Sequence, residues 1–219
     1  MSFAALLWKD ARREARGKEG VQAALVLAAL FLLVDLFAFR GLDGDARAGA
    51  VVVWTPLVFA TAALVARGFA HEADRGTLDL LRTAPVPVAW HGWSRTLLHL
   101  LLVAALAVVA VGLAVALFAL PMTAGLALAV VLAVPGLAVA GTLASGLAAH
   151  ARMRDALLPV LLVPVLAPLL QAGVEATRLA LSGAGLAAAR PALLLMAGYD
   201  LAALGVAALL WPAILEADA

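Results

Sequence analysis

Residues 96–149 read TLLHLLLVAALAVVAVGLAVALFALPMTAGLALAVVLAVPGLAVAGTLASGLAA, a stretch with no Asp, Glu, Lys or Arg in it. A helix needs about 20 apolar residues to cross a hydrocarbon core. The stretch therefore holds two crossings, 96–120 and 123–149, and Pro121-Met122-Thr123 between them is a tight turn at a membrane surface. Working outward, four more segments meet the same length: 21–39 and 48–69 before it, 156–177 and 191–214 after it. The expected fold is all-α: a polytopic membrane protein with six transmembrane helices in a single transmembrane domain over 1–219.

Composition agrees. The chain is 66% hydrophobic and 13% charged, whereas a soluble domain is nearer half apolar and a quarter charged. A net charge of +1 gives no electrostatic support to a nucleic-acid partner. The absence of cysteine excludes disulfides, thiolate ligands and thiol redox chemistry. The first apolar run begins near Val21, after a segment rich in both acids and bases, and reads as a span rather than a signal peptide.

Orientation follows from Lys and Arg in the short loops. Lys9, Arg12, Arg13, Arg16 and Lys18 precede the first span, Arg67, Arg75, Arg82 and Arg95 follow the second, and Arg152 and Arg154 follow the fourth. These eleven face Arg40, Arg47, Arg178 and Arg190 on the other side, so both termini are expected in the cytoplasm. Residues 2–18 predict a separate amphipathic helix. Ser2 caps its start, and Gly17 and Gly20 end it. Phe3, Ala4, Leu7, Trp8, Ala11 and Ala15 share one face, opposite Lys9, Arg12, Arg13 and Arg16. Asp10 and Glu14 sit at the edge, spaced to pair with Arg13 and Lys18. Such a helix either lies in the cytoplasmic interface, in contact with membrane lipid, or is a leader whose charges set topology.

The longest cytoplasmic loop is expected over 70–95. Thr77 caps a short helix over Leu78–Arg82, and Pro85 and Pro87 forbid its continuation. Leu78 and Leu81 fall on one side of it. They either dock to a cytosolic partner or pack back on the bundle. Asp35 and Asp200 lie within spans, where a carboxylate is costly and normally faces protein, a partner or water. Asp35 is near the outer end, within reach of Arg40. Gln171, Glu175 and Arg178 form a polar strip at the outer end of span five. Pro159, Pro164 and Pro168 each remove a backbone hydrogen bond from that span, so it is expected to kink or break. Gly141, Ser145 and Ala149 make a small-residue stripe on span four. Chemistry is sparse. Gly17-Lys18 lacks the upstream glycine of a phosphate loop, and His71, His91, His99 and His150 do not pair at metal spacing. No catalytic residue and no metal site is assigned.

The plan resembles the membrane subunit of an ABC-2-type transporter, and one stretch sharpens the resemblance. Phe69-Ala70-His71-Glu72-Ala73-Asp74-Arg75-Gly76-Thr77-Leu78-Asp79-Leu80-Leu81-Arg82-Thr83-Ala84-Pro85-Val86-Pro87 is similar to the cytoplasmic signature of the CcmB family, the haem exporter protein B subunit of cytochrome c maturation. Leu157-Leu158-Pro159-Val160-Leu161-Leu162-Val163-Pro164 looks like that family's proline-rich helix. The resemblance implies a non-catalytic permease in the bacterial inner membrane, working with a partner ATPase, CcmA. It implies that Glu72, Asp74, Gly76, Leu78, Leu81, Pro85 and Pro87 carry the docking surface. It also implies CcmC, CcmD and the haem chaperone CcmE as neighbours, and a second copy of this chain within the complex. Haem is then cargo of the complex rather than a cofactor of this chain, which places no histidine on the outer face; Met122 and Tyr199 are the nearest soft or phenolic groups there. The alternatives are an ABC-2 exporter for a lipid or small amphiphile, and a membrane scaffold with no transport cycle.

Overall fold

The computed structural model describes residues 2–39, 44–66, 69, 86–149 and 154–216, with side chains for all of these except 154–157, 159, 215 and 216. Among them are seven helices and no strand: α1 Phe3–Gly17, α2 Glu19–Ala38, α3 Ala46–Ala66, α4 Ala89–Leu117, α5 Ala124–Ala149, α6 Arg154–Leu181 and α7 Gly185–Glu216. In α2 to α5, in α6 from Val160 and in α7, the helix is long and apolar enough to cross a membrane. The chain is a multi-pass α-helical membrane protein.

Local chemistry sets the breaks. Ser2 caps α1, its hydroxyl accepting from the Ala5 N–H at 3.3 Å. The last helical residue is Gly17, as expected, and the cap after it is Lys18, which takes the left-handed conformation (φ 55°) and gives its N–H to the Glu14 carbonyl at 2.8 Å. Gly20 lies inside α2 instead. There a Cβ would fall 3.2 Å from a Glu14 carboxylate oxygen and 3.4 Å from the Leu64 carbonyl, so the missing side chain lets the α1–α2 corner close onto α3. Between α4 and α5 the turn runs from Phe118 to Thr123, and the Thr123 hydroxyl caps α5 by accepting from the Leu126 N–H at 3.2 Å.

Three helices exceed their expected spans. α4 begins at Ala89, so the last seven residues of the expected loop 70–95 are helix. α6 runs to Leu181 and α7 starts at Gly185, which puts Arg178 and Arg190 on helices and leaves only Ser182-Gly183-Ala184 between them. Hydropathy marks where a helix is apolar, whereas the start of α4 is a polar turn that stays helical because it packs, with His91, Gly92, Ser94 and Arg95 buried. Of the kink or break expected in span five, the break does not occur: α6 is helical without interruption through Pro159, Pro164 and Pro168.

Two helices are central. α3 and α5 bury most of their spanning surface, while α2, α4, α6 and α7 surround them. Contact is close because small residues face bulky ones. Gly141 of α5 lies against Val65 of α3, Gly125 of α5 against Ala180 of α6, and Gly49 of α3 against Leu181 and Leu120. α2 joins by a narrow seam of Ala24, Ala28, Leu32 and Asp35, with Phe31 stacked on Phe59 of α3 at 4.4 Å. The rest of α2 presents Val26, Leu30, Leu33 and Phe37 outward, as a lipid-facing helix does.

Candidate functional site

One cluster of buried polar groups lies at the end that carries the two chain termini. α1 folds back across the start of α4 there, with Phe3 edge-on to Trp90 at 6.0 Å. Leu6 and Asp10, one turn apart, form its buried edge and are 1% and 3% exposed. Asp10 accepts from the Ser94 hydroxyl at 2.7 Å and from Arg95 Nη2 at 3.2 Å, with Lys9 Nζ also at 3.2 Å. The carboxylate expected at the helix edge, spaced for Arg13, is therefore the one that fixes α1 to α4. Arg95 is equally buried, and its guanidinium lies 5.5 Å from the Phe69 ring.

From Arg95 the contacts continue inward. Phe69, the first residue of the loop signature, is 2% exposed, donates its N–H to Ser145 of α5 at 3.4 Å and packs on Trp211 of α7 at 5.7 Å. Trp211 fills a slot between two glycines: a Cβ on Gly92 of α4 would fall 2.2 Å from its ring, and one on Gly146 of α5 would fall 3.0 Å away. One turn along α4, His99 Nδ1 lies 2.9 Å from the Thr142 hydroxyl, which itself donates to the Ala138 carbonyl. A hydroxyl has one proton to give, so His99 donates through Nδ1. The seam thus joins α1, α4, α5 and α7 and grips the chain at both ends of the loop, through Phe69 on one side and α4 on the other.

The other end holds a second lock. Trp54 of α3 sits over Gly173 of α6, where a Cβ would fall 2.2 Å from its ring, and its indole N–H donates to Thr177 at 3.0 Å. Of the expected polar strip, Glu175 and Arg178 form a two-fold hydrogen-bonded pair at 2.7 and 2.8 Å.

Of the expected docking residues, Glu72, Asp74, Gly76, Leu78, Leu81 and Pro85 lie outside the described residues. Pro87 is exposed, and its carbonyl starts α4 by accepting from the Trp90 N–H at 2.9 Å. Asp35 is 5% exposed on the α2 seam, and its Oδ2 makes no hydrogen bond among the described residues; Arg40 lies outside them. Asp200 is 8% exposed on α7. It sits over Gly136 of α5, where a Cβ would meet its Oδ1 at 2.6 Å, and that oxygen likewise has no hydrogen bond among the described residues. Its neighbour Tyr199 donates to the Val165 carbonyl of α6 at 3.0 Å, in the turn bracketed by Pro164 and Pro168. Asp35, Asp200 and the loop residues are not brought together. No group of three His, Cys, Asp or Glu able to hold a metal occurs among the described residues.

Between α2, α3, α5 and α6 a lateral cavity of about 380 Å³ opens, lined by apolar groups such as Leu27, Phe59, Leu158 and Leu162, with Ser145 at one side. The sequence reading missed this cavity, the Asp10–Ser94–Arg95 cluster, the His99–Thr142 pair and both tryptophan slots. One signal was present: Leu6 and Asp10 fall on the same face of α1, so an acid continues an apolar ridge.

Six spanning helices, a buried ionic seam at one end and no catalytic constellation among the described residues define a polytopic membrane protein whose working parts are packing and polarity. The CcmB protein family matches residues 1–218. Heme exporter protein B of Rhodobacter capsulatus is 34% identical over 179 residues, 80% of this chain and 81% of that protein. Heme exporter protein B of Paracoccus denitrificans is 30% identical over 210 residues, 93% of each chain. The chain belongs to the CcmB family.

Proposed function

We propose that this chain is the permease subunit of an ATP-driven haem exporter, itself non-enzymatic, with both termini in the cytoplasm of a bacterium and its spans in the inner membrane. The observation that carries the reading is likeness to heme exporter protein B along 93% of the chain. The partner ATPase, of the CcmA kind, docks on residues 72–87, with Leu78 and Leu81 as the apolar anchor and Glu72 and Asp74 at the rim. A buried apolar centre within a charged rim gives a small interface both affinity and register. The seam supports this reading mechanically. Phe69 and α4 flank the loop and are tied to α1, α5 and α7, so a push on the loop moves packed helices rather than a free tether. Haem is the cargo of the complex, and CcmC, CcmD and the chaperone CcmE are its further members; release of the haem-loaded chaperone is the step the ATPase drives.

The test is recovery of the ATPase with the tagged permease. Leu78→Asp with Leu81→Asp leaves the chain inserted and abolishes recovery, and Glu72→Ala weakens it in a salt-dependent way. Recovery of the ATPase at wild-type level with the double variant refutes the docking reading and favours a scaffold. A second reading, export of a lipid or small amphiphile, draws on the apolar lateral cavity. Loss of haem delivery in a deletion strain, restored by this chain, decides for haem.

A further inference from the structure

The second half of α1, the Lys18 turn, the start of α2 and Arg95 of α4 enclose a pocket of about 620 Å³. Six cationic side chains line it (Lys9, Arg12, Arg13, Arg16, Lys18 and Arg95), against the carboxylates of Glu14 and Glu19. With Asp10 counted, beside Lys9 and Arg95, six cations meet three carboxylates, a net +3. The backbone shapes the pocket: Lys18 adopts φ 55°, which turns the chain sharply from α1 into α2. Glu14 is held against Gly20, with an oxygen 3.2 Å from where a Cβ would be.

Its depth in the fold indicates the occupant. The pocket includes Glu19 and Gly20, the first residues of the first spanning helix, so it lies where hydrocarbon gives way to headgroups. α1 presents three sides. Leu6 and Asp10 face the bundle, Lys9, Arg12 and Arg16 form a basic side, and Ala4, Trp8 and Ala15 form an exposed apolar side, with Trp8 61% exposed and Arg12 5.0 Å above its ring. A ligand there meets positive charge and an apolar surface side by side. We propose that this pocket binds the phosphodiester headgroup of an anionic glycerophospholipid, with Lys9, Arg12, Arg16 and Lys18 around the phosphate and Trp8 at the acyl boundary. This goes beyond a helix lying on the bilayer: it is a built site, closed on its inner side by a buried arginine, and it distinguishes headgroups by charge.

The experiment is competitive lipid retention. The purified wild-type chain and an Arg12→Gln/Arg16→Gln/Lys18→Gln variant are equilibrated in detergent with equal phosphatidylglycerol and phosphatidylcholine, and bound lipid is counted by native mass spectrometry. The wild type retains phosphatidylglycerol over phosphatidylcholine. Each basic residue at an anionic surface contributes roughly fivefold at low salt, so the triple variant loses on the order of a hundredfold in that preference. Glutamine keeps helix propensity, and limited proteolysis checks that α1 stays docked; the single variant Arg16→Gln, with a several-fold loss, repeats the measurement if it does not. Equal retention by wild type and variant overturns the proposal and points to a protein segment as the occupant. Displacement of the lipid by millimolar inorganic phosphate also overturns it, since that marks a free-anion site.

Discussion

Asp10→Ala is expected to release α1 from the bundle. The carboxylate and Arg95 are 3% and 6% exposed, 3.2 Å apart, and Ser94 adds a bond of 2.7 Å. An exposed pair of this kind contributes at most about 1 kcal/mol. Removing one partner of a buried pair costs about 3–5 kcal/mol, because the remaining charge is stranded out of water. Burial decides which figure applies, and here both groups are inside. A loss of about 3 kcal/mol raises the population of undocked α1 roughly a hundredfold. The chain has no cysteine, so Leu6→Cys gives a single reporter at a site 1% exposed. Maleimide labelling of that cysteine is slow in the parent and accelerates about a hundredfold with Asp10→Ala. Arg95→Leu added to Asp10→Ala removes the buried cation that has lost this carboxylate and recovers part of the loss, giving a coupling of opposite sign to the single effects. Labelling that stays within threefold of the parent refutes the argument, since α1 is then held by Leu6 and Phe3 packing without the ion pair.

Gly92→Ala puts a methyl 2.2 Å from the Trp211 ring and is expected to destabilise the detergent-solubilised chain by about 1–3 kcal/mol by overpacking, read as a lower midpoint of thermal unfolding; Gly92→Ala with Trp211→Leu regains stability. Trp54→Phe leaves the buried Thr177 hydroxyl without its indole donor and costs about 1–2 kcal/mol by the same assay, while Thr177→Val with Trp54→Phe is milder than Trp54→Phe alone. Asp200→Asn keeps the volume over Gly136 and leaves the midpoint nearly unchanged, whereas Asp200→Leu replaces a flat carboxylate with two bulkier methyl groups at that contact and lowers it.

The spans were legible because a hydrocarbon solvent imposes one requirement, about 20 apolar residues, and the sequence meets it six times. Pro121-Met122-Thr123 was legible as a turn for the same reason. Helix ends were not. Residues 89–95, Ala-Trp-His-Gly-Trp-Ser-Arg, are too polar for a span, yet α4 begins with them because Gly92 receives Trp211 and Arg95 meets Asp10. Those partners are 119 and 85 positions away, so no local pattern reports them. The capping of α1 by Ser2 and its stop at Gly17 were readable, but the left-handed cap at Lys18 was not, nor was the use of Gly20, which lies inside α2 and is spent on closeness to Glu14. The prolines of α6 show a limit of propensity: each removes a donor, but packing against α3, α5 and α7 keeps the helix continuous.

The Asp10–Arg95 pair also has a meaning in time. A ribosome makes α1 before α4, with more than seventy residues between them. When Ser94 and Arg95 emerge, Thr142, Ser145 and Trp211 have not yet been synthesised, and α5 and α7, which will cover this end of α4, do not exist. Asp10 does. α1, made before α4, therefore already carries the counter-charge that the start of α4 needs at the moment it reaches the bilayer. The Asp10–Arg95 contact thus joins an early-made helix to a later one, besides bracing the finished bundle.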